Sequence, residues 1–147
     1  MATTASTLIG QRQIDAARRR FPRICAFGIV PFRSGRLAES IAHDIKPGEI
    51  ATAIECLSQL DPTKTGRVDS YRLKHLAEEW GRRNDQSGYV SNGALIVAAL
   101  AIGLVVEPCG PAWAGSPNVL IGVSAKSVRR MIAANEFVRQ EKKNRMA

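Results

Sequence analysis

Between Ala94 and Val106 the chain places 13 consecutive residues, ALIVAALAIGLVV, without one polar side chain. A membrane-spanning helix needs roughly 20 apolar residues to cross a hydrocarbon core of about 30 Å. This run is shorter, contains Gly103 and runs into Glu107-Pro108, so membrane spanning is rejected, and no other stretch is a candidate. A helix that reads DNA bases must carry polar side chains on one face. Here Leu95, Ala98, Ala99 and Ile102 make one face, and Gly93, Ala94, Val97, Leu100 and Ala101 make the other. Both are apolar, and a helix apolar all round belongs inside a protein. The run is therefore expected to be a buried helix from about Asn92 to Ile102, capped by Ser91, closed by Gly103 and followed by a strand at Leu104–Val106. Only its first turn, Ser91-Asn92-Gly93, is left to face a partner. Free N–H groups and the helix dipole suit an anion there, although ordinary capping explains the same residues.

The flanking segments supply the rest of a small fold. Leu37, Ile41 and Ile45 mark a short helix after Ser34-Gly35, ended by Lys46-Pro47-Gly48. Ile50, Ala53, Ile54, Leu57 and Leu60 fall at helical spacing up to Asp61-Pro62. A third helix starts at Asp69 or Ser70, buries Leu73, Leu76, Ala77 and Trp80, and has Gly81 as a C-terminal cap. Val119–Val123 is a second strand. Ser124 caps a last helix to about Lys142, with Val128, Met131, Ile132 and Val138 inward. The class is mainly α with a small β-hairpin (α+β), and the helical core resembles winged-helix architecture. Three parts are expected: a basic N-terminal arm over 1–33, a helical core with hairpin over 34–124, and a basic C-terminal helix over 125–147.

Charge points to the class of partner. A chain of 147 residues, 45% of them hydrophobic, suits one domain with a real core. Its net charge of +8 is carried by the ends. Residues 1–38 hold seven Arg against Asp15 alone, and residues 126–147 hold seven basic groups against Glu136 and Glu141. Basic ends around a balanced middle fit nucleic acid, or an acidic protein surface, as partner. The N-terminal segment lacks the ordered regions of a secretory signal and reads as a basic arm or an organellar presequence. Cys25, Cys56 and Cys109 form no C-x-x-C pair, and with His43 and His75 they give no metal-ligand spacing. No metal or cofactor is expected, and a reducing cytoplasm fits the cysteine usage. The oligomeric state is left open.

On the third helix, Tyr71, Lys74, His75 and Glu78 sit at i, i+3, i+4 and i+7 and share one stripe, opposite the apolar one. A solvated face with weak ion pairs has the same spacing. These residues, with Tyr89-Val90-Ser91-Asn92-Gly93, resemble a signature of small bacterial proteins carried by plasmids, phages and integrating elements. That signature reads approximately Ser-Tyr-Gly-x-Lys-His, an acidic residue, then Tyr-(Ile/Val)-(Ser/Thr)-Asn-Gly. Arg72 stands here where Gly is usual, Pro117-Asn118 adds to the likeness, and the resemblance covers about residues 69–123. Most such proteins have no assigned activity, so it implies a genetic setting and a shared surface of Tyr71, Glu78, Tyr89, Ser91, Asn92 and Gly93, not a reaction. If the two helices pack side by side, Tyr71, Lys74 and His75 approach Tyr89, Ser91 and Asn92 and present donors to a phosphate or an acidic side chain.

No nucleophile elbow, phosphate-cradling glycine loop or paired carboxylates accompany these residues, so no enzymatic activity is expected. The leading expectation is a small nucleic-acid-binding protein of a mobile element, without sequence specificity. Its phosphate contacts would be Arg18, Arg19, Arg20, Lys126, Arg129 and Arg130, with Arg72, Lys74, His75, Arg82 and Arg83 adding recognition. The alternative is a protein-binding inhibitor or modulator of a host defence or replication complex.

Overall fold

The apolar run occupies the middle of the molecule. In the computed structural model, which describes residues 2–29, 45–109 and 116–147, α1 (Ala2–Arg20) is followed by a hairpin of β1 (Ile24–Cys25) and β2 (Gly28–Ile29). Then come α2 (Pro47–Leu57), β3 (Val68–Asp69), α3 (Ser70–Arg83), α4 (Asn92–Ala101), β4 (Val106–Pro108), β5 (Val119–Ile121) and α5 (Ala125–Met146). Among the described residues the protein is mainly helical with two small antiparallel sheets, an α+β architecture.

Every residue of α4 from Asn92 to Ala99 is buried. It packs against α1, α2, α3, the β1–β2 hairpin and β4. Each fully buried Leu, Ile or Val contributes about 1.5–3 kcal/mol, so Leu95, Ile96 and Val97, all at 0% exposure, anchor the fold. Gly103, at φ +77°, ends the helix by taking the left-handed turn that a side chain disfavours. The amide of Leu104 donates back to Ala99 O at 3.0 Å. That turn delays strand pairing, so β4 starts at Val106 and not at Leu104 as the sequence suggests.

The expected two-stranded hairpin has a third member. β5 is central, pairing antiparallel with β4 (Val106 opposite Ile121) and with β3 (Val68 opposite Ile121). Buried Ser70, at the start of α3, accepts the Val119 N–H on its Oγ at 3.1 Å and ties that helix to the sheet. α3 begins under the cap of Asp69, whose Oδ1 accepts from Tyr71 N and Arg72 N at 2.8 and 3.3 Å.

Other local expectations change. Gly81 lies inside α3 and is not its cap; the helix runs on to Arg83. A Cβ at Gly81 would stand 2.2 Å from Ser87 O, so the residue is small because a loop crosses it. Pro47 opens α2, its missing N–H costing nothing in a first turn. The short helix expected on Leu37 and Ile41 lies outside the described residues, while Ile45 is buried ahead of α2. The basic N-terminal segment forms α1, which places Ile14 and Ala17 in the core. In α5, Val128 and Met131 are buried, but Ile132 is exposed and Val138 half-buried. Only the first three turns of that helix are buried against the body, at Ser127, Val128, Met131 and Asn135.

Candidate functional site

The Asp69 cap sets the phase of α3, and that phase decides which side chains meet the turn entering α4. Glu78 is buried, so the stripe is not a wholly solvated face. Its Oε1 accepts from Lys74 Nζ at 3.0 Å and faces His75 Nδ1 at 3.2 Å, while its Oε2 accepts the Val90 N–H at 3.4 Å. Glu78 thereby ties α3 to the Tyr89-Val90 segment and holds Lys74 in place. The Lys74 ammonium stands 5.1 Å from the Tyr89 ring centre and 5.9 Å from that of Tyr71, both within cation–π range. Tyr71 and His75 make an edge-to-face contact with centres 4.6 Å apart.

Tyr71, Lys74, Tyr89 and Asn92 line one cleft of about 370 Å³, with Ala26, Phe27, Pro117 and Asn118 completing it. Phe27 is 60% exposed, Tyr71 51% and Tyr89 59%. In a chain with so few aromatics, three exposed rings lining one cleft, two of them within cation–π range of Lys74, form a platform, not scattered surface. Asn92 closes the back of the cleft. Its Nδ2 donates to Phe27 O at 2.8 Å and to Asn118 Oδ1 at 2.9 Å. Its Oδ1 is buried and has no partner among the described residues.

The first turn of α4 is not open to an anion. Ser91 Oγ accepts from Ala94 N at 3.1 Å, Gly93 N donates to Ala26 O at 3.0 Å, and Ser91 N donates to Glu49 Oε1 at 2.7 Å. The helix N-terminus has an internal carboxylate as its counter-charge. Burial raises the pKa of Glu49, opposed by its hydrogen bonds to Ser91 and by Lys46 and Lys74. A Cβ on Gly93 would lie 1.9 Å from Cys25 O. Ser91 and Gly93 are therefore residues of assembly: one caps α4, and the other lets the β1–β2 hairpin press against it.

The remaining basic residues stand elsewhere. Arg82 and Arg83 both pair with Glu79, Arg82 at 2.8 Å, and Arg82 also donates to Gly88 O at 3.0 Å. The bond from Arg82 and the pairing with Arg83 hold the Glu79 carboxyl below its usual range. Arg72 and His75 are exposed and line a separate groove between α3 and α5. Lys126, Arg129 and Arg130 are exposed on the first turns of α5, and Arg19 and Arg20 on the last turn of α1, where Arg18 is half-buried. Arg20 lies over the Phe21 ring at 5.2 Å.

Phe27 and the back wall at Pro117-Asn118 join a site that the α3 stripe alone does not reveal. The pattern Ile24-Cys25-Ala26-Phe27-Gly28-Ile29 carries a hairpin signal, the pairs Ile24-Cys25 and Gly28-Ile29 around the turn Ala26-Phe27, masked by the arginine-rich segment beside it. Glu49 had no local signal at all. Among the described residues no three His, Cys, Asp or Glu side chains gather as for a metal ion, and no helix is long and apolar enough to cross a membrane. Comparison with protein-family models, curated proteins and solved structures finds no match to this chain.

Proposed function

We propose that this chain is a small single-stranded nucleic-acid-binding protein of a mobile genetic element, without sequence specificity. One observation carries the reading: the exposed rings of Phe27, Tyr71 and Tyr89 line a single cleft with Lys74, which lies within cation–π range of the two tyrosines, on a chain of net charge +8. Every base has a π-face, so stacking on aromatic side chains beside a cation is the common way to hold unpaired bases of any sequence. The exposed Arg and Lys groups on α5 and at the end of α1 supply phosphate contacts.

Duplex reading by α4 is disfavoured. A winged-helix reading would rest on the order α2, β3, α3, α4, β4, β5 with sheet order β3-β5-β4. However, the helix that would enter a groove, α4, lies under α1 and the β1–β2 hairpin. Likeness of connectivity is not likeness of function.

The test is fluorescence anisotropy with a labelled single-stranded oligonucleotide and its duplex, each at low and moderate salt. Tighter binding to the single strand, weakening steeply with salt, supports the reading. No binding at low salt removes it. A stable acidic protein partner that survives nuclease treatment would transfer the reading to a modulator of a host complex.

A further inference from the structure

A second cleft, of about 320 Å³, lies between α3 and α5 and is lined by Trp80, Arg83, Asn84, Arg130, Met131 and Asn135 among its residues. It has two guanidinium groups on its wall and no carboxylate. Two of its donors, Arg83 Nε and Asn135 Nδ2, are buried with no partner among the described residues, and Asn135 is only 6% exposed. An unpaired buried donor costs about 1–3 kcal/mol, and native proteins leave few of them. Both donors sit on side chains that line this cleft. The other end of the Arg83 guanidinium is fixed on Glu79, which also takes Arg82 at 2.8 Å. One carboxylate shared by two guanidinium groups leaves a net positive charge beside the cleft. Among the described residues Arg130 is held elsewhere only by an exposed 3.7 Å pair with Asp61, weak enough for its head to turn inward.

We propose that this cleft binds a phosphate group. Donors arrive from two helices and three side chains, which suits a tetrahedral oxyanion better than a planar carboxylate, and guanidinium–phosphate bonds are among the strongest neutral-pH contacts a protein can offer. Trp80 and Met131, both nearly buried, supply an apolar wall for the organic part of a phosphorylated ligand. The site is separate from the aromatic cleft and does not depend on the reading given to it. Free phosphate compounds and a nucleic-acid backbone present the same group.

Side-chain ¹H–¹⁵N spectra of the full chain test the assignment, because Arg Nε–H and Asn Nδ2–H₂ signals are seen directly. Titration with inorganic phosphate, against chloride at equal ionic strength, is expected to shift the Arg83 and Asn135 signals saturably. Asn135→Leu and Arg83→Lys, which keep bulk and charge respectively, should each weaken that response about tenfold or more. In a parallel titration with single-stranded oligothymidine, a shift at lower concentration than with phosphate assigns the group to a polynucleotide backbone; a shift with inorganic phosphate alone assigns it to a small ligand. Signals that stay still with both probes, follow ionic strength only, or ignore both substitutions overturn the proposal. Replacing Tyr71 and Tyr89 by Ala must leave the phosphate response intact, so failure of one cleft is distinguishable from failure of the other.

Discussion

Glu49 Oε1 accepts the backbone N–H of Ser91 at 2.7 Å, bringing a buried carboxylate from α2 to the N-terminus of α4. The bond fixes the turn on which Tyr89 and Asn92 stand, so the cleft rests on a group whose ionised form is penalised by burial. Because its folded pKa lies above the ordinary carboxylate value, the native state holds this proton more tightly than the unfolded chain. Stability from this residue is therefore greatest at low pH and falls as pH rises through the raised folded value. Glu49→Gln keeps an acceptor for Ser91 and removes that slope. Thermal midpoints across the acidic range should flatten relative to wild type, with the pH 7 midpoint equal or higher. An unchanged slope would show that Glu49 does not control it. Glu79, whose pKa is lowered, works in the opposite direction, its stabilisation present above the ordinary carboxylate range and lost on acidification.

Tyr71→Ala and Tyr89→Ala should each weaken single-strand binding about tenfold, since stacking contributes about 1–3 kcal/mol per base. Both rings are more than half exposed, so circular dichroism and thermal midpoint should barely change. Retained affinity with both rings removed would empty the cleft of its assigned role.

Arg129→Glu tests the phosphate contacts apart from the rings. The side chain is exposed on α5, so the fold should hold while the slope of log affinity against log salt becomes shallower. A slope identical to wild type would clear this part of α5 from the interface.

Gly93→Ala should destabilise the protein by about 1–3 kcal/mol or more, the cost of forcing atoms into a filled space. The added carbon would meet the Cys25 carbonyl oxygen at 1.9 Å and its carbon at 2.7 Å, both backbone atoms that cannot swing aside. Chemical denaturation would show a lower midpoint; an unaffected midpoint would mean that the hairpin does not press on α4.

Thiol labelling reads the same packing. None of the three cysteines forms a disulfide. Cys25 and Cys56 are at 0% exposure, and burial pushes the Cys56 thiol up to about 12. Cys109 is partly exposed, but burial and the neighbouring Asp69 carboxylate raise its pKa as well. In the native protein only Cys109 should react at neutral pH, and slowly, with all three reacting after unfolding. Fast native labelling of Cys56 would contradict its place in the core.

The helices that read clearly in sequence are those whose signal is local. α4 could be placed to within a residue because its apolar run, Ser91 cap and Gly103 stop all agree. α2 and α3 followed from helical spacing. The two-residue strands β1, β2 and β3 were missed because so short an element has no period of its own; partners decide it, as Ile121 does for Val68. α1 was obscured by its arginines, although Ile14, Ala17 and Phe21 lie at i, i+3 and i+7. Half of the cleft was visible as the α3 stripe and the Tyr89–Gly93 motif. The other half comes from Phe27 and Asn118, which reach it through the bonds of Asn92 and leave no spacing to find.

That arrangement around Asn92 has a thermodynamic meaning. One amide gathers Phe27 from the N-terminal hairpin, Asn118 from the approach to β5, and its own helix from the core. Residues 65 and 26 positions away thus share a single wall. The cleft needs residues from Ala26 to Asn118, and unfolding that parts the β1–β2 hairpin from α4 cannot leave it intact. Any molecule it holds is coupled to the global folding equilibrium, so occupancy should register as a higher melting temperature for the entire protein.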